Sequence, residues 1–245
     1  MTQFNFGIGN IYGFPVGGGA PRIFGTISGA SLDISGDIKM LYGQNQFPDD
    51  VSVGKRKITG KISVGLVDTN LMSQIYFGGA PVAGRLLEAL AEPHSVPAAS
   101  TYTVTSTNAA TYNADCGVYY ASSGLPLVQV AAGSEAAGMY SVNLTTGVYT
   151  FAAADEGKAI LLNYTYGDTV NGLSLSVGQT LMGQIQTFQL LLLNITKGNT
   201  FGFTLYSCVS DKLSLPIKQD DYMEVEFDFA AFADPAKRVL KIWNS

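Results

Sequence analysis

SLDISGDIKMLYGQNQFPDDVSVGKRKITGKISVGLV, residues 31–67, reads as two amphipathic β-strands joined by a long loop. On the first strand Leu32, Ile34, Ile38 and Met40 alternate with Ser31, Asp33, Ser35, Asp37 and Lys39. On the second, Ile58, Ile62, Val64 and Leu66 alternate with Lys57, Thr59, Lys61 and Ser63. Apolar residues at every second position mark a strand with one buried face. Charge sets the expected register, Asp33 opposite Lys61 and Asp37 opposite Lys57, because the next same-face register would set Lys39 against Lys57. A one-residue slip would turn every apolar side chain to the wrong face. The connection, Leu41–Gly54, exceeds the roughly 2–5 residues of an ordinary hairpin loop. It holds Tyr42, Phe47, Pro48, Asp49 and Asp50 and is followed by Lys55-Arg56-Lys57.

The chain has 245 residues, 47% of them apolar, enough for one large β domain or two smaller ones. Only 13% are charged, about half the usual share. Together with 28 glycines, this suits an all-β protein that buries much of its surface, including against copies of itself. A net charge of −5 argues against sequence-independent nucleic-acid binding, which needs a basic surface. Cys116 and Cys208 read as separate buried thiols in a reducing compartment. Residues 1–10 lack the basic and apolar regions of a signal peptide. The longest run of large apolar residues, Leu190–Leu193, is far short of a membrane span, so no membrane anchor is expected. The Asn-x-Ser/Thr triplets at Asn143, Asn163 and Asn194 then carry no glycosylation meaning.

Residues 1–25, rich in Gly, Pro and aromatics, read as an extended arm. Gly7–Gly13 departs by one residue from a dinucleotide fingerprint and lacks the flanking strand and helix. Asp68 as N-cap, Leu71, Met72, Ile75 and Tyr76 on one face, and Gly78 at the end predict a short helix laid on the sheet. Arg85–Glu92 reads as another short helical turn, ended by Pro93. Between 97 and 166 come short β-forming runs: Tyr102–Thr105, Val118–Ala121, Leu127–Val130, Met139–Val142, Val148–Phe151 and Ala159–Tyr166. Turn residues separate them, the pattern of a small β-sandwich. From Leu173 the first style resumes, with strands at Thr187–Leu193, Thr200–Cys208 and Met223–Phe229, a loop at 212–221 and a terminal strand carrying Trp243. The expected organisation is a discontinuous β domain, 1–95 with 170–245, and a second β domain, 96–169, inserted into it.

Chemistry-bearing patterns are missing. A single histidine, His94, in an expected linker and two distant cysteines do not make a metal site. Gly54-Lys55 and Gly157-Lys158 lack the remaining residues of a phosphate-binding loop, and no nucleophile elbow occurs. The pairs Asp49/Asp50 and Asp220/Asp221 read as solvated turn residues. No catalytic, metal or cofactor site is expected, and the chain is not read as an enzyme. Lys55-Arg56-Lys57 reads as a solvated strand start or as an interface patch meeting an acidic loop. Glu224, Glu226 and Asp228 form either a water-facing strand face or an acidic lining turned to a charged cargo.

The flanking regions resemble the major tail tube proteins of long-tailed bacteriophages. The resemblance is carried by GQNQFPDDVSVGKRKITGKISVG (Gly43–Gly65), TFQLLLLN (Thr187–Asn194), FGFTLYSCVSDKLSLPIKQDDY (Phe201–Tyr222) and EVEFDFAAFAD (Glu224–Asp234). The middle, with GVYTFAAADEGKAILLNYTY (Gly147–Tyr166), is similar to small Ig-like β-sandwich insertions of phage structural proteins. The resemblance implies a mainly β tail-tube-type sandwich or barrel with one short helix, plus that inserted sandwich. It implies homohexameric rings stacked into a hollow tube in the virion, assembled in the host cytoplasm. Partners would be a tape-measure protein and the tail terminator and tip proteins, with double-stranded DNA passing through without specific binding. It places Tyr42, Phe47, Pro48, Asp49, Asp50, Lys55 and Arg56 in a loop that clasps the next ring, and Asp33, Asp37, Glu224, Glu226 and Asp228 on the lumen. An inserted domain has room only outward, which favours a non-contractile tail. The alternatives are the tube of a contractile tail or injection device, and a virion decoration module that binds sugars or cells.

Overall fold

A computed structural model describes residues 7, 9–16, 18–66, 68–98, 101–179, 181–183, 185–196 and 198–244. Residues 1–6, 8 and 17 of the expected N-terminal arm, and Val67 at the end of the second opening strand, lie outside them; the rest of the expected arm is not a free extension, since Asn10–Pro15 pairs with 188–193 and Arg22–Ile23 with 12–13 as strands of a sheet. The chain is mainly β. Its strands are β1 (Asn10–Pro15), β2 (Arg22–Ile23), β3 (Ile27–Tyr42), β4 (Pro48–Val64), β5 (Val82–Ser95), β6 (Thr103–Thr105), β7 (Tyr112–Tyr120) and β8 (Val128–Gln129). They continue with β9 (Met139–Asn143), β10 (Val148–Phe151), β11 (Ala159–Ser174), β12 (Thr187–Thr196), β13 (Asn199–Ser214), β14 (Val225–Ala231) and β15 (Leu240–Asn244). The chain divides into two compact units, 1–81 with 175–245, and 82–174.

The first unit is built on an eight-stranded sheet of order β2-β1-β12-β13-β14-β4-β3, with β15 also paired to β13. Alternation decides which side is buried. Phe188, Leu190 and Leu192 on β12, Val225, Phe227 and Phe229 on β14, and Ile62 and Val64 on β4 all enter one core. A helix, α1 (Thr69–Met72), continues as a π-turn through Phe77 and adds Leu71, Met72 and Ile75 to it. Its start and stop follow the sequence. The Asp68 carboxylate accepts the Asn70 N–H at 2.9 Å, and Gly78 ends it at a φ of 70°, a left-handed conformation that glycine adopts without penalty. Gly60 occupies an inward position of β4 because a Cβ there would lie 2.4 Å from the Phe229 ring and 2.6 Å from the Ser31 carbonyl oxygen.

The opening hairpin forms, with two corrections. Its register is offset by two residues from expectation: Lys61 faces Ser31, Asp33 faces Thr59 and Ser35 faces Lys57. The faces are kept, since the side-chain period is two. Lys61 finds its carboxylate on the other neighbour, β14, where Glu226 lies 2.8 Å away. The long loop is also mostly strand. β3 and β4 run on to Tyr42 and from Pro48, leaving only Gly43–Phe47 as the turn.

The second unit holds the sheets β5-β11-β7 and β6-β10-β9-β8, which share a core of Val104, Val118, Tyr140, Tyr149, Phe151, Ile160, Leu162 and Tyr164. It begins and ends farther out than the expected 96 and 169. Arg85–Glu92 is the cause: it is not a helical turn but part of β5, paired along β11. Long-range pairing overrides the helix preference of Leu, Ala and Glu. His94 is likewise in β5 and not in a linker. Cys116 is exposed, unlike Cys208, because it falls in a bulge where Val118 and Asp115 of β7 pair with Leu162 and Tyr164 of β11.

Carboxylates partner the tyrosines of this core. Asp115 accepts from the hydroxyls of Tyr140 (2.5 Å) and Tyr149 (3.0 Å). Asp155, fully buried, accepts from the Tyr120 hydroxyl, the Gly138 N–H and the Lys158 ammonium at 2.7, 2.9 and 2.7 Å. Glu92 accepts from Tyr164 and from the amide and hydroxyl of Thr107, and it contacts His94 Nε2 at 2.5 Å. Each hydroxyl therefore has a partner inside, so the rings are buried without an orphaned polar group.

Candidate assembly surface

β14 pairs with β4 only from Ile58 to Val64, and β3 pairs only with β4. Beyond Ile58 the two strands continue as a two-stranded ribbon with no further β partner among the described residues. About ten more residues at roughly 3.3 Å each carry it about 30 Å past the sheet.

The ribbon keeps an apolar face on both sides of one interruption, where Gly36 opposes Arg56. Ile34 pairs with Ile58, Ile38 with Val53, and Met40 with Val51. Ile58 is at an even position and Val53 and Val51 at odd ones, so β4 must change parity between them. It does so at a bulge: Gly36 opposes Arg56 and Ile38 opposes Val53, leaving one extra residue in β4. Ile38 is 61% exposed, and Ile34, Val51 and Val53 are each more than half exposed. An isolated two-stranded hairpin is marginal in water, and an exposed apolar strip is a contact surface waiting for a partner.

The residues expected in the clasp all lie on this ribbon. Tyr42 ends β3, its hydroxyl 3.2 Å from Met40 Sδ, and faces Pro48. Phe47 is at the tip, 79% exposed, with Asp49 and Asp50 beside it at the start of β4. Lys55 and Arg56 sit at the bulge. What sequence reading missed is that Val51 and Val53 join the same surface. Their alternation was the available signal, hidden by the parity change.

The expected lumen residues share one face, with one exception. Glu226 and Asp228 on β14 stand opposite Ser63 and Lys61 of β4, and Lys61 stands opposite Ser31 of β3, so Asp33 and Asp37 follow on the same side. Glu224 precedes β14. The face is mixed in charge. Lys61 bonds Glu226, which raises the lysine pKa and lowers that of the carboxyl, and Lys212 lies 3.9 Å from Asp228.

Among the described residues no cluster of His, Cys, Asp and Glu is placed to hold a metal ion, and no helix is long and apolar enough to cross a membrane. No protein-family model matches the chain, and no curated protein matches it.

Proposed function

We propose that this chain is the subunit of a phage tail tube, forming hexameric rings that stack into a hollow cylinder for DNA. One observation carries the reading: a ribbon about 30 Å long, with exposed apolar residues along one face, projects from the sheet with no further β partner among the described residues. A contact between different surfaces of identical copies propagates, and the ribbon is the element that would reach the next ring. The face bearing Asp33, Asp37, Glu226 and Asp228 suits the bore. Glu226 and Asp228 pair with Lys61 and Lys212, and Asp33 and Asp37 alternate with Lys39 and Lys57 on the same side, so the face is mixed in charge and offers DNA no purely basic track whose counterion release would hold it. The tape-measure, terminator and tip proteins would be its partners in the virion. Negative-stain microscopy of the purified protein is the test. Hollow tubes of uniform width are expected, and a monodisperse monomer under all conditions of salt and concentration would overturn the reading.

A further inference from the structure

The two ends of the long strands carry complementary surfaces. At one end the ribbon leaves the sheet, and at its base stand Lys55, Arg56 and Lys57, all exposed and without an ion pair among the described residues. At the other end of the same strands β13 turns into β14, where Ser214 pairs with Glu226 and Val225 with Val64. That turn, 215–224, exposes Ile217 (90%) and Tyr222 (87%). It also carries Asp220, Asp221 and Glu224. Lys218 pairs with Asp221 at 3.0 Å, which leaves Asp220 and Glu224 without an ion pair among the described residues.

Resting on the tube reading, we propose that the 215–224 turn of one copy docks on the ribbon base of the copy behind it, Asp220 and Glu224 against Lys55 and Arg56 at the bulge and Ile217 and Tyr222 on the apolar face. The occupant is a second copy of this chain because the two patches lie at opposite ends of one set of strands. Along β4 the base at Arg56 and the turn end at Val64 are about 26 Å apart at roughly 3.3 Å per residue, and the two patches abut when copies are stacked along the strand direction. Opposite charges on the two ends also fix polarity, since base against base or turn against turn would set like charges together. The apolar residues on each side supply the burial, and the tip beyond the base is left to reach deeper into the neighbour.

The test joins a cross-link to a charge exchange. In a Cys116→Ser background, Arg56→Cys combined with Asp220→Cys should give a ladder of oligomers with a bis-maleimide, whereas each cysteine alone should not. A ladder without tubes overturns the tube reading and leaves the contact standing; tubes without a ladder overturn the contact and leave the tube standing. Lys55→Glu with Arg56→Glu, and separately Asp220→Lys with Glu224→Lys, should each abolish stacking while thermal unfolding stays unchanged. All four together should restore it. Undiminished stacking in either pair, or no recovery in the combination, would overturn the proposal.

Discussion

The backbone N–H of Ala91 donates to the side-chain oxygen of Asn163 at 2.7 Å, where the ladder between their strands is interrupted. On its other side the Asn163 amide nitrogen reaches the Gly117 carbonyl at 3.4 Å, across a second bulge. One side chain thus stands in for the backbone pairing lost on both flanks of β11. Asn163→Ala should lower the stability of the second unit by about 1 kcal/mol, the scale of one partly exposed hydrogen bond, read by thermal unfolding of the full chain. Asn163→Asp keeps an acceptor for Ala91 and should recover part of the loss. An unchanged midpoint in the alanine variant would show that the bulges hold without it.

The Glu92 carboxyl should make the second unit acid-sensitive. Burial opposes its charge, but contacts from His94, Tyr164 and Thr107 outweigh that and lower its pKa to about 2, from an ordinary 4.5. A carboxyl whose pKa falls on folding stabilises above its unfolded value and loses that contribution as pH falls through the folded one. Its stabilisation is therefore complete above about pH 4.5 and fades toward pH 2. Glu92→Gln should melt lower at neutral pH and lose less between pH 4.5 and 2.5 than the parent chain. Parallel curves for the two proteins would refute the assignment.

Gly60 should tolerate no side chain. In Gly60→Val the new carbons would meet the Phe229 ring and the Ser31 carbonyl, and the carbonyl, fixed in the backbone of β3, cannot withdraw without opening the β3–β4 ladder. Overpacking of this kind costs roughly 1–3 kcal/mol. The first unit should unfold at lower urea, and a wild-type midpoint would contradict the packing described.

The apolar ribbon face should matter to assembly and not to folding. Ile38→Asp with Val53→Asp changes residues that are already exposed, so unfolding should move by less than about 0.5 kcal/mol. Sedimentation should nevertheless show loss of polymer. Normal polymerisation by this variant would remove the ribbon from the interface.

Alternation made the first unit legible. Phe188-Leu190-Leu192, Val225-Phe227-Phe229 and Ile62-Val64 were readable as inward faces, and Asp68 and Gly78 as helix ends, because each is a local signal. Gly60, between Ile58 and Ile62, was also a readable mark of close approach. The register was not legible, because Lys61 had carboxylates available on both sides and pairs with the one on β14. Nor was β5, whose Leu, Ala and Glu residues favour a helix until β11 is beside them. The residues expected in the clasp were read as a loop and are mostly strand: a bulge leaves no mark in composition, and it split one strand pattern into two that did not look continuous.

The extra residue in β4 is a phase shifter. Removing one residue between Gly54 and Arg56 would leave both strands in place but turn Val51 and Val53 away from Ile38 and Met40. Each face of the ribbon would then be half greasy and half charged, although composition and length had barely changed. Length variation in related ribbons is therefore expected to come in pairs of residues, or to be matched by a second shift that resets the count.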